Sequence, residues 1–164
     1  MAVSLMLVDD DPLALASLTQ TLRRHLPTAI VEAFGDPTLA LRRFQDQPFA
    51  VIVTDFSMPA INGFGLLRSA REAGSDAAFI VMTGDSIDRM LVEGLRFRVF
   101  GIIDKPINRL ALIALIQQAI ESHRLRQEVT ELRRTLIEAG TELGSLVRGI
   151  VPETEEAFQP PLPY

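Results

Sequence analysis

The sequence has no cysteine, no tryptophan, one tyrosine and two histidines among its 164 residues. The absence of cysteine excludes disulfide bonds, thiol catalysis and cysteine-ligated metal, and it agrees with the cytoplasmic location that we predict. Lysine and arginine form no basic run, and the formal net charge is -5. Because an acidic chain lacks the electrostatic footprint of a nucleic-acid binder, we expect no direct contact with nucleic acid.

Long hydrophobic runs are also missing. The amino terminus, MAVSLMLVDDD, has no positively charged region and ends in three aspartates, which is not the pattern of a signal peptide. The longest apolar run elsewhere, Leu110–Ile116, is far shorter than the roughly 20 residues that a membrane helix needs. We therefore predict a soluble protein that does not bind membranes.

Short apolar runs alternate with segments of helical spacing. The five predicted strands are Ser4–Val8, Ile30–Phe34, Phe49–Thr54, Phe79–Met82 and Gly101–Ile103. Two of the predicted helices open with an aspartate and a proline, at Asp11-Pro12 and Asp36-Pro37, and the last follows Asn108. A weaker helix is predicted over Ser86–Leu95. This order predicts an α/β fold, a doubly wound, five-stranded parallel sheet covered by five helices.

Four of the predicted strands end in a charged or reactive side chain. These side chains are Asp9 and Asp10, then Asp55, Thr83 and Lys105. The carboxyl ends of parallel strands meet at one edge of a sheet, so the groups should converge. Converging carboxylates repel one another without a cation, and their oxygens suit Mg²⁺. A carboxylate nucleophile beside an ammonium and a hydroxyl indicates phosphoaspartate chemistry.

Some of these residues also have simpler explanations. Asp11 before Pro12 is explained by helix capping, and Asp9 or Asp10 taken alone could serve a turn. Asn62-Gly63 is predicted to serve a turn rather than to contact a ligand. The case for a site therefore depends on the whole set of residues.

Four motifs, LVDDDP, VTDFSMPAING, VMTGDS and IIDKP, resemble those of the CheY-like receiver domains of two-component response regulators, over about Ser4 to His123. The resemblance implies the flavodoxin-like strand order 2-1-3-4-5 and a cis peptide bond before Pro106. It implies that Asp55 is the phosphoacceptor, Thr83 the switch hydroxyl and Lys105 the residue that contacts the phosphoryl group. It further implies a Mg²⁺ ion held by Asp10, Asp55 and the Ser57 backbone carbonyl, with Asp9 acting through water.

The function implied by the resemblance is signalling rather than enzymatic turnover. The phosphoryl group would come from a sensor histidine kinase or a histidine phosphotransfer protein, and the signal would pass to an unknown downstream protein. In one departure from the family, Ile102 stands where an aromatic residue is usual. We expect Ile102 to act by packing rather than by an aromatic rotamer.

Two other functions remain open. One is a pseudo-receiver that dimerises without cycling phosphate, a reading that rests mainly on Ile102. The other is a haloacid-dehalogenase-type phosphatase that uses Asp9 and Asp11 as its D-x-D pair, although the chain lacks an acidic pair after Lys105. Replacement of Asp55 would separate the phosphatase from a receiver.

The chain is predicted to have three parts: a receiver domain over residues 1–123, a helical extension over 124–151 and an acidic, proline-rich tail over 152–164. Apolar residues of the extension recur with heptad spacing, and charged residues flank them. The a positions are Val129 and Leu136, the d positions Leu125 and Leu132, the g positions Glu121 and Glu128, and the e positions Arg126 and Arg133. This pattern favours a parallel coiled-coil homodimer, and the alternative is a helix packed on its own domain.

Overall fold

The computed structural model describes the backbone of residues 3–84, 94 and 97–150, and the side chains of these residues as far as Thr141. The strands are β1 (Val3–Val8), β2 (Ala29–Phe34), β3 (Val51–Asp55), β4 (Ala78–Thr83) and β5 (Gly101–Asp104). The described helices are α1 (Pro12–His25), α2 (Pro37–Asp46), α3 (Gly63–Glu72) and α4 (Arg109–Ile150). The helix predicted over Ser86–Leu95 lies outside the described residues, apart from Gly94.

The five strands form one parallel sheet in the order β2-β1-β3-β4-β5. The chain moves from β1 to one side of the sheet and then returns to add β3 on the other side. Open α/β sheets bind their ligands where the strand order changes direction, which here is at the carboxyl ends of β1 and β3. The predicted doubly wound α/β class and its flavodoxin-like strand order are confirmed.

Both faces of the sheet are covered, which explains why the central strands lack an apolar–polar alternation. Every residue of β3 and β4 is buried. In β1, Leu5 and Leu7 belong to one core layer, whereas Met6 and Val8 belong to the other. The sheet therefore supports the residues at its carboxyl edge from two packed layers.

A side chain caps each of the four described helices at its first turn. The Asp11 carboxylate accepts hydrogen bonds from the Leu13 and Ala14 amides at 2.9 and 3.3 Å, and Asp36 accepts one from the Thr38 amide at 2.7 Å. Asn108 accepts hydrogen bonds from the Leu110 and Ala111 amides, both at 3.1 Å. The predicted capping roles of Asp11, Asp36 and Asn108 are thus confirmed. The Asp11 carboxylate caps α1 and does not serve as a ligand group.

Contacts among the residues divide the chain into two units, Met1–Leu125 and Arg126–Tyr164. The first unit contains the sheet and the first three helices. In the second unit, the described side chains belong to α4, and Val129, Leu132 and Leu136 are exposed. Among the helices in the described part of the chain, none is both long enough and apolar enough to span a membrane.

Candidate functional site

Backbone hydrogen bonds extend the parallel ladder just past the ends of the strands. The Asp9 amide donates to the Phe34 carbonyl at 3.1 Å, and the Lys105 amide donates to the Thr83 carbonyl at 2.7 Å. The Phe56 amide, directly after Asp55, donates to the Met82 carbonyl at 2.8 Å. These bonds hold the residues that follow the strands in register with their neighbours, so the side chains at this edge are positioned by the sheet.

Three carboxylates meet at this edge. Asp9, Asp10 and Asp55 each offer one oxygen, and these oxygens lie within 4.8 Å of one another. Asp9 and Asp55 are almost fully buried, at 1% and 5% exposure, whereas Asp10 is exposed. The cluster therefore lies in the interior on the Asp9 side and opens to solvent at Asp10.

Lys105 supplies the positive charge of the site. Its Nζ lies 2.9 Å from Asp55 Oδ1 and 3.6 Å from Asp9 Oδ2. Burial by itself would lower the pKa of Lys105, but the hydrogen bond to Asp55 and the charges of Asp9 and Asp55 outweigh it and raise that pKa. The ammonium is therefore charged at neutral pH and is held between two carboxylates.

Asp9 is only partly satisfied by the protein. Its Oδ1 accepts a hydrogen bond from the Asp11 amide at 2.9 Å, but its buried Oδ2 has no hydrogen-bond partner. Burial, together with the charge of Asp55, raises the pKa of Asp9 despite the Asp11 amide and Lys105. A buried carboxylate oxygen without a hydrogen bond is costly, even with the Lys105 ammonium 3.6 Å away. This oxygen and the two neighbouring carboxylates form a hard-oxygen donor set that fits a divalent cation such as Mg²⁺.

The other two predicted site residues lie beside this cluster. Thr83 is the last residue of β4, is fully buried, and directly follows Met82, the register partner of Asp55. Ser57 follows Asp55 by two residues and is exposed in the loop after β3. The structure thus brings Asp9, Asp10, Asp55 and Lys105 into contact distance, and it puts Thr83 and Ser57 on the adjoining strand end and loop.

Gly63 contacts the site in a way that the sequence reading missed. A Cβ atom at this position would lie 2.8 Å from the Asp55 carbonyl oxygen and 3.2 Å from Phe56 Cα. The prediction that Asn62-Gly63 serves a turn was wrong, because Asn62 caps α3 through a 2.8 Å bond from the Gly65 amide and Gly63 is its first residue. An asparagine before an apolar helical run was the available signal.

Thr54 was not predicted as part of the site either. Its buried hydroxyl donates a hydrogen bond to the Asp55 carbonyl oxygen at 2.9 Å. Gly63 and Thr54 therefore both support the backbone of Asp55, one by allowing a helix to approach and the other by a hydrogen bond. Neither residue offers a side chain to the carboxylate cluster itself.

The comparison with protein families agrees with this geometry. The model of the response regulator receiver domain matches residues 5–117. The chain belongs to the response regulator receiver family. Domains of this family serve signalling in two-component systems, and an acidic Mg²⁺ pocket is typical of them, which matches the cluster of Asp9, Asp10 and Asp55.

Several characterised proteins resemble this receiver domain. It is 33% identical over 143 residues to the C4-dicarboxylate transport transcriptional regulatory protein DctD of Pseudomonas aeruginosa, a match that covers 87% of this chain and 30% of DctD. It is 31% identical over 101 residues to the transcriptional regulatory protein FixJ of Azorhizobium caulinodans, which covers 60% of this chain and 44% of FixJ. The chain thus spans less than half the length of these relatives.

A solved structure supports the fold. The response regulator receiver domain protein from Clostridium thermocellum superposes with a TM-score of 0.69 at 23% identity, over 75% of this chain and 98% of that one. The cis peptide bond expected before Pro106 is present. Ile102, which stands at the usual aromatic position, is half-buried and packs against the core layer that contains Val81 and Phe79.

Proposed function

We propose that this receiver domain accepts a phosphoryl group on the Asp55 carboxylate. The observation that carries the proposal is the contact of Lys105 Nζ with Asp55 Oδ1 at 2.9 Å inside a cluster of three carboxylates. Asp9 is less suited to be the acceptor, since its Oδ1 is engaged by the Asp11 amide. Asp10 is exposed and therefore lacks a protected environment. Asp55 combines burial with an adjacent ammonium.

Mg²⁺ is the proposed cofactor. Asp10, Asp55 and the backbone carbonyl of Ser57 would hold it, and Asp9 would act through a water molecule. The Oδ2 of Asp9 has no hydrogen-bond partner in the protein, and a metal-bound water would supply one. This supports the assignment. When bound, the ion offsets the negative charge that the incoming phosphoryl group brings to three carboxylates.

Transfer forms a bond between an Asp55 oxygen and phosphorus and breaks the phosphorus–nitrogen bond of a phosphohistidine, whose ring nitrogen leaves. Lys105 then exchanges its contact with Asp55 for one with a phosphoryl oxygen, a charge-assisted bond. The Thr83 hydroxyl donates to another phosphoryl oxygen. Because Thr83 is buried at the end of β4, this contact would require a local rearrangement of the sheet edge.

The proposed partners follow from this chemistry. A sensor histidine kinase or a histidine phosphotransfer protein would supply the phosphoryl group, and a downstream protein would read the result without enzymatic turnover by this domain. Output would be by protein contacts, including self-association through the C-terminal helix. We assign residues 1–123 to the receiver domain, 124–151 to the helical extension and 152–164 to a tail, with the protein acting in the cytoplasm.

The phosphatase alternative is disfavoured by the position of Asp11. Its carboxylate accepts hydrogen bonds from the Leu13 and Ala14 amides and caps α1. A D-x-D pair would need this carboxylate at the reacting centre. The pseudo-receiver alternative is disfavoured because Asp9, Asp10 and Asp55 form an intact acidic cluster with Lys105 in contact with Asp55.

The test is incubation of the protein with Mg²⁺ and acetyl phosphate, followed by intact mass measurement. The wild-type protein should gain one phosphoryl group, in a linkage that is stable in acid and labile in base. Asp55→Asn should abolish the label, because an amide is not a nucleophile for phosphorus. Asp46→Asn, which changes an exposed carboxylate of α2, is the matched control and should label normally. A full label on Asp55→Asn would refute the assignment.

A further inference from the structure

Thr54 is a polar residue in a strand that is otherwise apolar as far as Asp55. Its side chain is fully buried, and a buried hydroxyl without a hydrogen-bond partner would destabilise the fold. The hydroxyl donates to the backbone carbonyl oxygen of Asp55 at 2.9 Å, and this bond is itself buried. The residue before the proposed phosphoacceptor is therefore bonded to the backbone of the phosphoacceptor.

The methyl group of Thr54 packs against the start of α3. A Cβ atom at Gly63 would lie 3.2 Å from Thr54 Cγ2 and 2.8 Å from the Asp55 carbonyl oxygen. The first residue of α3 thus lies against both the methyl group and the carbonyl that the hydroxyl contacts. Because the χ1 torsion of a β-branched residue is stiff, this packing keeps the Thr54 hydroxyl directed at Asp55.

The peptide group between Asp55 and Phe56 is held at both ends. Its carbonyl accepts the hydrogen bond from Thr54, and its amide donates to the Met82 carbonyl at 2.8 Å. Because a peptide group is planar, two bonds at opposite ends fix its orientation. The Asp55 carboxylate extends from the backbone just before this group, and the Ser57 carbonyl follows shortly after it.

We propose that Thr54 is a positioning residue for phosphoryl transfer. Its hydroxyl fixes the peptide group after Asp55, and this peptide group sets the directions of the Asp55 carboxylate and of the Ser57 carbonyl. The inference rests on the proposed function, in which these two groups accept the phosphoryl group and hold Mg²⁺. Thr54 acts only through the backbone, since it offers no side chain to the carboxylate cluster.

The size of the expected effect follows from the geometry. A misplacement of a reacting group by about 1 Å can slow a reaction by about 10²-fold. Loss of the Thr54 hydroxyl permits a smaller shift, because the bond from the Phe56 amide to Met82 remains. Thr54→Val exchanges the hydroxyl for a methyl group and keeps a β-branched residue that suits a strand. We expect this variant to fold and to label about tenfold more slowly.

The first experiment measures initial labelling rates of the full chain over a range of acetyl phosphate concentrations at saturating Mg²⁺. Thr54→Val should lower the maximal rate about tenfold and leave the KM within about twofold. Thr54→Ser restores the hydroxyl and should recover most of the rate. Thr19→Val is the matched control and should label like the wild type. It makes the same change at another buried threonine, whose hydroxyl donates to the Leu15 carbonyl within α1.

The second experiment measures Mg²⁺ binding by calorimetry without a phosphodonor. Thr54→Val should raise the Mg²⁺ Kd about fivefold, below the usual range for residues that orient metal ligands, because Ser57 lies three residues further along the chain. Thr54→Ser and Thr19→Val should bind Mg²⁺ like the wild type. Denaturant unfolding in EDTA verifies that both valine variants are folded and lose similar stability.

The outcomes separate the possible failures. A Thr54→Val variant that labels and binds Mg²⁺ like the wild type overturns the inference and leaves phosphorylation of Asp55 untouched. Equal slowing of Thr54→Val and Thr19→Val also overturns it, because the effect would then follow stability alone. A wild-type chain that takes no label refutes the proposed function, and the inference fails with it. Slow labelling of Thr54→Val alone, with recovery in Thr54→Ser, supports the inference.

Discussion

Asp9 carries a carboxylate that is almost entirely removed from solvent, at 1% exposure, and one of its oxygens has no hydrogen-bond partner. Burial is the main cause of its raised pKa. A carboxylate whose pKa is higher in the folded than in the unfolded protein binds more protons when folded. The free energy of unfolding therefore falls as pH rises from the ordinary pKa of aspartate through the raised one.

Asp9→Asn should remove this pH dependence. At pH 7 in EDTA the variant should unfold at a higher temperature than the wild type, and the difference should disappear at a pH below the ordinary pKa of aspartate. Added Mg²⁺ should stabilise the wild type more than the variant. Thermal unfolding over a pH series measures both effects, with Asp11→Asn as the control, because asparagine caps α1 equally well. A lower unfolding temperature of Asp9→Asn at pH 7 in EDTA would contradict the argument.

Lys105 differs from Asp9 because the folded protein favours its charged form rather than its neutral form. Its raised pKa means that its charge contributes stability at neutral pH, and this contribution is lost as pH rises through the raised value. Lys105→Ala should lower the free energy of unfolding by about 1 kcal/mol in EDTA, a modest value because the side chain is partly exposed. The loss should be smaller in Mg²⁺, which can neutralise the same carboxylates.

The same variant should also respond less to beryllofluoride, which imitates the phosphoryl group, since the ammonium that contacts it is gone. Denaturant unfolding and the change in circular dichroism on adding beryllofluoride are the two measurements. Lys105→Arg keeps the charge and should be intermediate. A full beryllofluoride response in Lys105→Ala would remove Lys105 from the mechanism.

Among the secondary-structure elements, β3 and α3 approach each other closely beside the site. Gly63 brings the first residue of α3 so close to β3 that a Cβ atom would lie 2.8 Å from the Asp55 carbonyl oxygen. Backbone atoms cannot move aside as a flexible side chain can. The close approach of this helix to β3 is therefore possible only because Gly63 has no side chain.

Gly63→Ala should cost about 1–3 kcal/mol of the free energy of unfolding, the usual range for overpacking. It should also slow labelling by acetyl phosphate, because the shift displaces the end of β3. Gly35→Ala is the matched control: its Cβ would meet nothing closer than 3.9 Å, so its effect should stay within about 0.5 kcal/mol. If the two variants have equal stability and equal labelling rates, the close approach at Gly63 affects neither the fold nor phosphorylation.

At the scale of the whole molecule, the division into Met1–Leu125 and Arg126–Tyr164 predicts how the chain can be cut. All of the sheet and all of the carboxylate cluster belong to the first unit. A fragment of residues 1–125 should unfold cooperatively, with a free energy of unfolding that Mg²⁺ increases, and should label on Asp55 like the full chain. Because it lacks the exposed apolar residues Val129, Leu132 and Leu136, it should be monomeric at all concentrations.

Denaturant unfolding, intact mass and sedimentation of the fragment are the measurements. The full chain under the same conditions is the control. A fragment that is unfolded, or that is folded but does not label, would show that the second unit supports the site. A fragment that still dimerises would locate the interface outside residues 126–164.

Much of this architecture could be read from the sequence, because its signals are local. Apolar runs predicted the strands, and aspartate or asparagine before an apolar run predicted the caps at Asp11, Asp36 and Asn108. The residues that follow the strands predicted which side chains would share one edge, since parallel strands all end there. The strand boundaries were predicted less accurately. The structure begins β3 at Val51 rather than at Phe49, because the buried apolar run extends beyond the hydrogen-bonded ladder.

The burial and pairing of the charged groups at the site could not be predicted from the sequence, because they depend on tertiary packing. Three features depend on how separate segments pack. Asp9 Oδ2 has no hydrogen bond, Lys105 lies 2.9 Å from Asp55 and farther from Asp9, and Gly63 lies against the Asp55 backbone. Burial and distance are properties of the assembled sheet edge, and no local pattern encodes them. The order of strands and polar residues along the chain was enough to predict which side chains meet at the sheet edge. Only the packing of the segments sets which of these side chains pair with one another and which of them are destabilised by burial.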